Sequence, residues 1–137
     1  MRRSTVGLVL LAVGTFVASG CNNGSSTSTT TPTSTTTVTA TYSGNLNQNG
    51  AVTFPFTTQA GTVTATLTAL ADPTVTVGLS LGDWTGSSCI VDISNDATQV
   101  GVTITGTLSA AENACVRIYD VGNVKTTLAF TITVVHP

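Results

Sequence analysis

Charged side chains are scarce in this 137-residue chain, in which Asp, Glu, Lys and Arg together make up only 7% of the residues. Four Lys/Arg against six Asp/Glu are too few for the basic patch by which proteins bind nucleic acid, so no nucleic-acid partner is expected. The mean hydropathy is positive, at +0.37, which excludes a charge-rich disordered chain. The length allows one folded domain and excludes a large multi-domain enzyme.

Histidine is almost absent, which limits the catalytic chemistry that the chain can support. His136 is the only histidine and lies one residue from the C-terminus, where we expect a solvated or strand-capping imidazole. The serines lack a Gly-x-Ser-x-Gly context and a histidine at a suitable place, so a hydrolase triad is not supported. We therefore predict a protein that is not an enzyme, with no catalytic residues and no cofactor.

A hydrophobic run long enough to span a membrane is also lacking. The N-terminal run, residues 6–17, has about 12 residues, whereas a spanning helix needs roughly 20. It follows two arginines and precedes the small residues 18–20, which is the order found in a secretory signal. Residues 1–20 are therefore predicted to be a signal peptide.

The sequence Ala18-Ser19-Gly20-Cys21 resembles the lipobox of bacterial lipoprotein signal peptides. The resemblance implies that the thiol of Cys21 receives a diacylglycerol and becomes the new N-terminus, and two or more acyl chains then hold the protein at a membrane. The alternative is an ordinary signal that is cleaved near Ala18 and leaves Cys21 as a free thiol. By analogy with enterobacterial sorting, Asn22 favours the outer membrane of a Gram-negative cell envelope.

Three cysteines are present, and lipidation of Cys21 leaves Cys89 and Cys115. In an oxidising compartment we expect these two to form a disulfide. The alternative is a metal site, but two isolated cysteines and a single histidine do not make a zinc site. Because Cys115 alternates with Arg117 and Tyr119, we expect the disulfide at the rim or on the outer face of the domain.

A polar segment separates the signal from the rest of the chain. Apart from Asn22, Asn23, Gly24 and Pro32, every residue from 22 to 37 is Ser or Thr. Such a segment has nothing apolar to bury, so we predict a linker. The predicted organisation is a signal peptide at 1–20, the lipidated cysteine with its linker at 21–37, and one β-sandwich domain at 38–137.

Beyond the linker, apolar residues alternate with threonine and serine, a period of two that is typical of half-buried β-strands. Val52, Phe54 and Phe56 share one face, and Pro55 suggests an edge strand because proline lacks an amide donor. The remaining candidates are the short runs 39–43, 89–93 and 114–119 and four longer runs with the apolar faces Val63, Ala65, Leu67 and Ala69; Val75, Val77, Leu79 and Leu81; Val100, Val102 and Ile104; and Leu128, Phe130, Ile132 and Val134.

Residues that favour turns separate these runs. The turn signals lie at 47–50, 60–61, 71–73, 83–87, 94–96 and 121–123. About eight short strands at regular spacing, with no helical period in the mature chain, predict an all-β fold. The expected architecture is an antiparallel β-sandwich that is jelly-roll-like.

Several segments together resemble the bacterial pre-peptidase C-terminal domain family. They are Phe54-Pro55-Phe56, Gly61-Thr62-Val63-Thr64-Ala65-Thr66-Leu67, Val77-Gly78-Leu79-Ser80-Leu81-Gly82, Cys115-Val116-Arg117-Ile118-Tyr119-Asp120 and Phe130-Thr131-Ile132-Thr133-Val134. The resemblance spans most of residues 40–137 and implies a jelly-roll-like sandwich of secreted bacterial proteins, often appended to proteases and generally non-catalytic. Val77-Gly78 replaces the acidic residue usual before the central Leu-x-Leu of that family, so the resemblance does not carry over a cation site.

The carboxylates lie in or next to predicted turns: Asp72, Asp83, Asp92, Asp96, Glu112 and Asp120. Capping of turns accounts for this placement, whereas a glycosidase requires two carboxylates that face one cleft. Asp92, Asn95 and Asp96 offer three oxygen ligands within five residues, which makes them a calcium candidate. They lack the spacing and the glycine of an EF-hand loop, so no metal site is predicted.

Asp83 and Trp84 are the candidate contact site for a partner or a glycan. The only tryptophan is predicted to lie in a loop after a strand whose apolar face is already filled. An indole in a loop can stack on a sugar ring or anchor a protein partner. The alternative is a tryptophan folded over the open end of the sandwich as a lid on the core. Arg117 and Tyr119 can line a neighbouring patch.

These observations favour a non-enzymatic, lipid-anchored envelope protein that displays a β-sandwich as a binding or structural module, with a glycan or another envelope protein as partner. The alternative is a small surface hydrolase that acts on glycans with paired loop carboxylates. The hydrolase requires two carboxylates that converge in a concave pocket, whereas a binding module needs only an exposed aromatic or apolar patch.

Overall fold

A computed structural model describes residues 36–137, and β-strands account for most of them. The predicted signal peptide, Cys21 and all of the linker except Thr36 and Thr37 lie outside the described residues. The strands are β1 (Val38–Leu46), β2 (Ala51–Thr58), β3 (Gly61–Leu70), β4 (Val77–Trp84), β5 (Cys89–Thr98), β6 (Thr103–Leu108), β7 (Glu112–Tyr119) and β8 (Leu128–His136). Within this part of the chain, no helix is long and apolar enough to cross a membrane.

The strands form two four-stranded antiparallel sheets with the orders β1-β8-β3-β6 and β2-β7-β4-β5. Every connection except the one from β4 to β5 passes from one sheet to the other, which is the arrangement of a double-sheet jelly roll. The predicted all-β, antiparallel, jelly-roll-like sandwich of about eight strands is therefore confirmed. β2 is an edge strand, as Pro55 predicts.

The core lies between the sheets and follows the predicted alternation. Burial of each large aliphatic side chain contributes roughly 1.5–3 kcal/mol, so these positions supply most of the free energy that closes the sandwich. On the outer face of β3, threonine hydroxyls bond across the strands, as between Thr66 and Thr103 at 2.7 Å. The buried cluster includes Leu46, Val63, Ala65, Leu67, Val77, Leu79, Ile104, Val116, Ile118, Phe130, Ile132 and Val134.

Two positions predicted to face the core do not. Ala69 is exposed because a bulge on β3 shifts the alternation and buries Leu70 instead. Val100 is 38% exposed because it precedes Gly101, whose φ of 90° lies in the left-handed region, and β6 begins only at Thr103. The alternating apolar patterns correctly predict strands β3 and β6, but backbone irregularities change which residue faces the core at one end of each pattern.

The turn predicted at 94–96 is wrong, because β5 continues through it to Thr98. β5 is an edge strand, and its pairing with β4 shifts register twice, with the extra residues on β5. Such bulges accommodate polar residues in a strand, and here the Oδ1 of Asn95 accepts a hydrogen bond from the amide of Ala97 at 2.9 Å. Asp92 and Asp96 therefore lie within a strand and not in turns.

The beginning of β5 folds over the outer face of β4 at Gly82. A Cβ on Gly82 would overlap the carbonyl oxygen of Ile90, so the crossing requires glycine. The predicted disulfide is present there and joins Cys89 on β5 to Cys115 on β7, and the Sγ of Cys115 lies 3.2 Å from the carbonyl oxygen of Gly82. With a sequence separation of 26 residues, the bond stabilises the fold by about 3–4 kcal/mol in the chain-entropy treatment.

The carboxylate of Asp120 joins two loops at one end of the sandwich. Its Oδ1 accepts hydrogen bonds from the amides of Gly122, Asn123 and Val124 at 2.8, 2.9 and 3.0 Å, and its Oδ2 accepts one from the amide of Asn49 at 2.8 Å. These bonds, above all the one from Val124, lower the pKa of Asp120 because they favour the charged form. Asp120 therefore acts as a structural cap, as predicted for the turn carboxylates.

We predict that Asp120→Ala lowers the free energy of unfolding by about 1–2 kcal/mol, as for loss of a capping side chain. Because the folded pKa lies below the ordinary value of 3.8, the carboxylate stabilises the fold above pH 3.8, and this contribution is lost as the pH falls through the folded pKa. Urea unfolding at neutral and acid pH measures both effects. Asp120→Asn keeps an acceptor oxygen and serves as the control. An alanine variant as stable as the wild type at neutral pH contradicts the capping role.

Candidate functional site

The outer face of the β2-β7-β4-β5 sheet carries the only tryptophan. Trp84 is the last residue of β4, not part of a loop as predicted, and its side chain is half-buried. It belongs neither to the buried core cluster nor to the partly buried apolar residues packed against that cluster. The alternative of a lid on the core therefore does not hold. Trp84 lines a shallow depression of about 330 Å³ together with Thr53, Ser87, Ser88 and Arg117.

Arg117 is held in place beside this depression by Tyr119. The guanidinium carbon of Arg117 lies 5.3 Å from the centroid of the Tyr119 ring, which is a cation–π distance. The ring lies against Gly78, where a Cβ would overlap it, and the Tyr119 hydroxyl is hydrogen-bonded to Oδ1 of Asp96. Burial, and after it the bond to Asp96, raise the pKa of Tyr119, so the hydroxyl stays neutral at physiological pH.

A tight turn after β4 positions the two serines of the depression. The amide of Thr85 donates to the carbonyl oxygen of Ser88 at 3.0 Å, and the amide of Ser88 donates to Oγ1 of Thr85 at 3.1 Å. Gly86 has a φ of 96°, a left-handed conformation that glycine adopts without strain. The turn therefore holds Ser87 and Ser88 as exposed residues next to the indole.

We call Trp84, Arg117, Thr53, Ser87 and Ser88 the Trp84 surface. An indole offers a flat apolar face, a guanidinium offers five donors, and hydroxyls both donate and accept. Such groups can pack against a ring and pair with the polar substituents around it. None of the five forms the base–nucleophile pair that covalent catalysis requires, so this surface is suited to binding.

Asp83, which was predicted with Trp84 as a contact residue, is separated from it. In the register of β4 with β7, Asp83 stands opposite Ala114, whose side chain is buried. The Asp83 carboxylate is a neighbour of Glu112, on the inner side of the sheet. Asp83 and Trp84, the two adjacent residues of the predicted contact site, therefore lie on opposite faces of the same sheet.

A cavity of about 140 Å³ lies between the two sheets. Asp92 and Glu112 line the same cavity. Asp92 is the extra residue of a bulge on β5, since Ile93 pairs with Leu81 and Val91 with Gly82, and such a bulge re-aims a side chain. Two carboxylates thus converge on one concave site. The apolar part of the wall is formed by Phe56, Val63, Leu81, Ile93, Leu108 and Ala114.

Glu112 has the most perturbed environment among the acidic residues at this cavity. Its Oε1 is buried and has no hydrogen-bond partner within residues 36–137. Burial raises the pKa of Glu112, and the neighbouring carboxylates of Asp83 and Asp92 raise it further by repulsion. In its protonated form Glu112 is able to donate a hydrogen bond to Asp83, which explains why the neutral form is favoured.

Glu112 and Asp92 were both predicted to lie in or next to turns, and no pattern in the sequence predicts that these two carboxylates meet. A signal for Glu112 was available, because the core residues Ile118 and Val116 lie at alternate positions, and the same period extended backwards passes through Ala114 to Glu112. No comparable signal exists for Asp92, whose direction depends on a bulge.

The three residues of the calcium candidate are engaged in separate interactions. Asp92 lines the cavity, Oδ1 of Asn95 accepts from the amide of Ala97, and Oδ1 of Asp96 binds the Tyr119 hydroxyl. Among residues 36–137, no group of three or more His, Cys, Asp or Glu side chains is placed to hold a metal ion. The structure therefore offers no arrangement of these residues as a common calcium site.

His136 is the last residue of β8 and is only 6% exposed. Of the two expected placements, the solvated imidazole is therefore wrong and the position at a strand end is confirmed. Its ring centroid lies 5.1 Å from that of Phe56, and its Nδ1 is 3.1 Å from the carbonyl oxygen of Pro137. Pairing of β8 with β1 holds this end of the chain in the sheet, with Val38 opposite His136. The histidine therefore packs as part of the strand end.

We predict that Glu112→Gln raises the melting temperature more at neutral pH than near pH 4. Because the folded pKa of Glu112 lies above the ordinary 4.5, the folded state holds the proton more tightly, and stability falls as the pH rises from 4.5 through the folded pKa. Glutamine does not ionise, so the variant avoids this loss of stability. Thermal unfolding of the variant and the wild type across this pH range measures the difference in melting temperature. The control is Asp72→Asn, because hydrogen bonds from Thr74 lower the pKa of Asp72 and give the opposite trend. Equal shifts for Glu112→Gln at both pH values contradict the prediction.

No family model and no curated protein matches this chain, so the resemblance to the pre-peptidase C-terminal domain stays a prediction. Among solved structures, the chain is similar to PliG of Aeromonas hydrophila, a periplasmic inhibitor of g-type lysozyme, with 13% identity, a TM-score of 0.48 and coverage of 72% of this chain and 84% of that chain. It is also similar to the low-affinity xylan binding module CBM86 from Roseburia intestinalis, with 14% identity, a TM-score of 0.44 and coverage of 73% and 95%.

Proposed function

We propose that the protein is a non-enzymatic, lipid-anchored protein of the bacterial cell envelope whose sandwich domain binds a glycan or another envelope protein. One observation carries the binding role, namely the position of the only tryptophan outside the core. Trp84 is half-buried on the outer face of a sheet, where its indole contributes little to closing the sandwich. Large aromatic side chains in such positions are frequent anchors for partners.

The neighbours of Trp84 favour a glycan as the ligand. The face of a sugar ring presents C–H groups that pack on an indole, and its hydroxyls need donors and acceptors around the edge. Arg117 supplies donors that Tyr119 holds in place, and Ser87, Ser88 and Thr53 supply hydroxyls. The depression is open and shallow, which suits one face of a chain of sugars rather than a molecule enclosed on all sides.

The lipid anchor is supported by the lipobox-like sequence that ends at Cys21 and by the pairing of the other two cysteines. Because Cys89 and Cys115 are joined in the domain, Cys21 is the remaining cysteine of the sequence. Two or more acyl chains on it hold the protein stably at a bilayer. The Ser/Thr-rich linker then keeps the domain off the membrane surface.

We predict that Trp84→Ala weakens binding to an insoluble glycan by about tenfold or more, because an aromatic anchor contributes on the order of 2 kcal/mol. Co-sedimentation with peptidoglycan sacculi, cellulose and chitin, followed by a pull-down from solubilised envelope, provides the measurement. The matched control is Val100→Ala, which removes an apolar side chain that is 38% exposed outside the Trp84 surface. The two variants should melt within a few degrees of the wild type. Equal recovery of every ligand by wild type and Trp84→Ala contradicts the proposed surface.

We predict that Cys21→Ser abolishes acylation and moves the protein from the membrane fraction to the soluble fraction. Mass spectrometry of the N-terminal peptide from the native host, with detergent partitioning of the intact protein, measures both. The Cys89–Cys115 disulfide provides an internal control, because it should be retained in both proteins. A wild-type N-terminus at Cys21 without acyl groups contradicts lipid anchoring.

A second candidate function is glycan hydrolysis, favoured by the convergence of Asp92 and Glu112 on one cavity and by the raised pKa of Glu112. The size of the cavity weighs against it, since about 140 Å³ is below the roughly 300 Å³ at which pockets for drug-sized molecules such as a sugar chain begin. Release of soluble sugars by the wild type and not by Glu112→Gln supports hydrolysis. Binding to the same glycans without release supports the binding module.

A further inference from the structure

The cavity between the sheets has the dimensions and the lining of a binding site for a small apolar group. Its volume of about 140 Å³ is close to that of a leucine-, isoleucine- and phenylalanine-lined cavity, of about 150 Å³, that stays dry and accepts benzene. Phe56, Val63 and Leu108 belong to its wall. A ring or a short branched chain therefore fits, whereas a sugar with a full set of hydroxyls does not.

One polar atom at this cavity lacks a partner. Oε1 of Glu112 is buried, and no donor within residues 36–137 reaches it. A buried acceptor that has left water without gaining a hydrogen bond is costly, and a ligand that brings a donor removes this cost. The cavity therefore selects a molecule with a donor attached to its apolar group.

The carboxylates around the cavity favour a ligand whose hydrogen-bond donor is positively charged. Asp92 shares the cavity wall with Glu112, and Asp83 is close enough to repel the charged form of Glu112. The one arginine and the one lysine within residues 36–137 are engaged elsewhere, since Arg117 lies over the Tyr119 ring and Nζ of Lys125 donates to the carbonyl oxygen of Gly122. A positive ligand supplies the missing countercharge.

We propose that this cavity binds a small primary ammonium compound, with its apolar group between the sheets and its ammonium group at Glu112 and Asp92. Asp92 and Thr107 are exposed at the edge of the cavity, which gives the ligand access from solvent. The site lies inside the sandwich, whereas the Trp84 surface lies on the outer face of one sheet. Failure of one site therefore leaves the other untouched.

The test titrates benzylammonium into the full mature chain, with benzyl alcohol as the neutral probe of similar shape. Calorimetry gives affinity, and amide shifts in NMR spectra give the location. We expect saturable, weak binding of benzylammonium, shifts at β5, β6 and β7, and at least tenfold weaker binding of benzyl alcohol, since charge-assisted hydrogen bonds are about twice as strong as neutral ones. Methylammonium, which lacks the apolar group, should also bind at least tenfold more weakly.

Two variants distinguish the contribution of the Glu112 carboxylate from that of the cavity volume. Glu112→Gln should weaken the binding of benzylammonium by about tenfold and leave the affinity for benzyl alcohol nearly unchanged. Gly106→Ala directs a methyl group toward the cavity wall, because a Cβ there lies 3.4 Å from Cδ1 of Ile93 and 4.0 Å from Cδ1 of Leu81, both ordinary contacts. This variant should fold normally and weaken both benzyl probes several-fold. Asp72→Asn removes a carboxylate on an exposed turn and is the control, with unchanged affinity.

Several outcomes would overturn the proposal. Equal affinity of the wild type for benzylammonium and benzyl alcohol, or an unchanged affinity of Glu112→Gln for benzylammonium, contradicts an ammonium site. No saturable binding of either benzyl probe to the wild type, or shifts confined to residues outside the cavity, removes the cavity as a ligand site. A loss of benzylammonium binding in Asp72→Asn equal to that in Glu112→Gln assigns the effect to net charge and also overturns it.

Discussion

The crossing of β5 over β4 at Gly82 is the constraint on which both candidate sites depend. The β5 backbone approaches so closely that no side chain fits at this position, and the Cys89–Cys115 disulfide fastens the crossing from β5 to β7. Next to it, the bulge on β5 turns Asp92 toward the cavity, while Trp84 ends β4 on the outer face. One local irregularity therefore determines the direction of the polar and aromatic side chains on both sides of the sheet.

The few charged residues of the domain lie on different sides of this sheet. Arg117 lies on the outer face with Trp84. Glu112 and Asp92 line the cavity on the inner side, and the exposed Asp83 is a neighbour of Glu112. A carboxylate with a buried, unpartnered oxygen is unfavourable for stability, because desolvation and repulsion oppose its charge. A sandwich that needed only to be stable would carry an apolar residue there. The Glu112 cluster is therefore the part of the domain that folding does not explain.

Much of the fold follows from sequence, because a period of two needs only one buried face per strand to fix orientation and register. The four long runs and the edge position of Pro55 were predicted from local patterns, and the disulfide was predicted from the number of cysteines and an oxidising compartment. The direction of Asp92 and the path through residues 94–96 were not, since bulges on an edge strand carry no apolar pattern. Glu112, Asp83 and Asp92 lie on three different strands, and a pattern within one strand does not predict that they meet.

The proposed binding role requires that the indole of Trp84 lies outside the core and is accessible to a partner. Because the chain contains a single tryptophan, its fluorescence reports on that side chain alone. We predict that acrylamide quenches the emission of the native protein substantially, with an emission maximum between those of buried and fully exposed indole. Blue-shifted emission that acrylamide quenches only after unfolding would place Trp84 in the core and contradict the binding role.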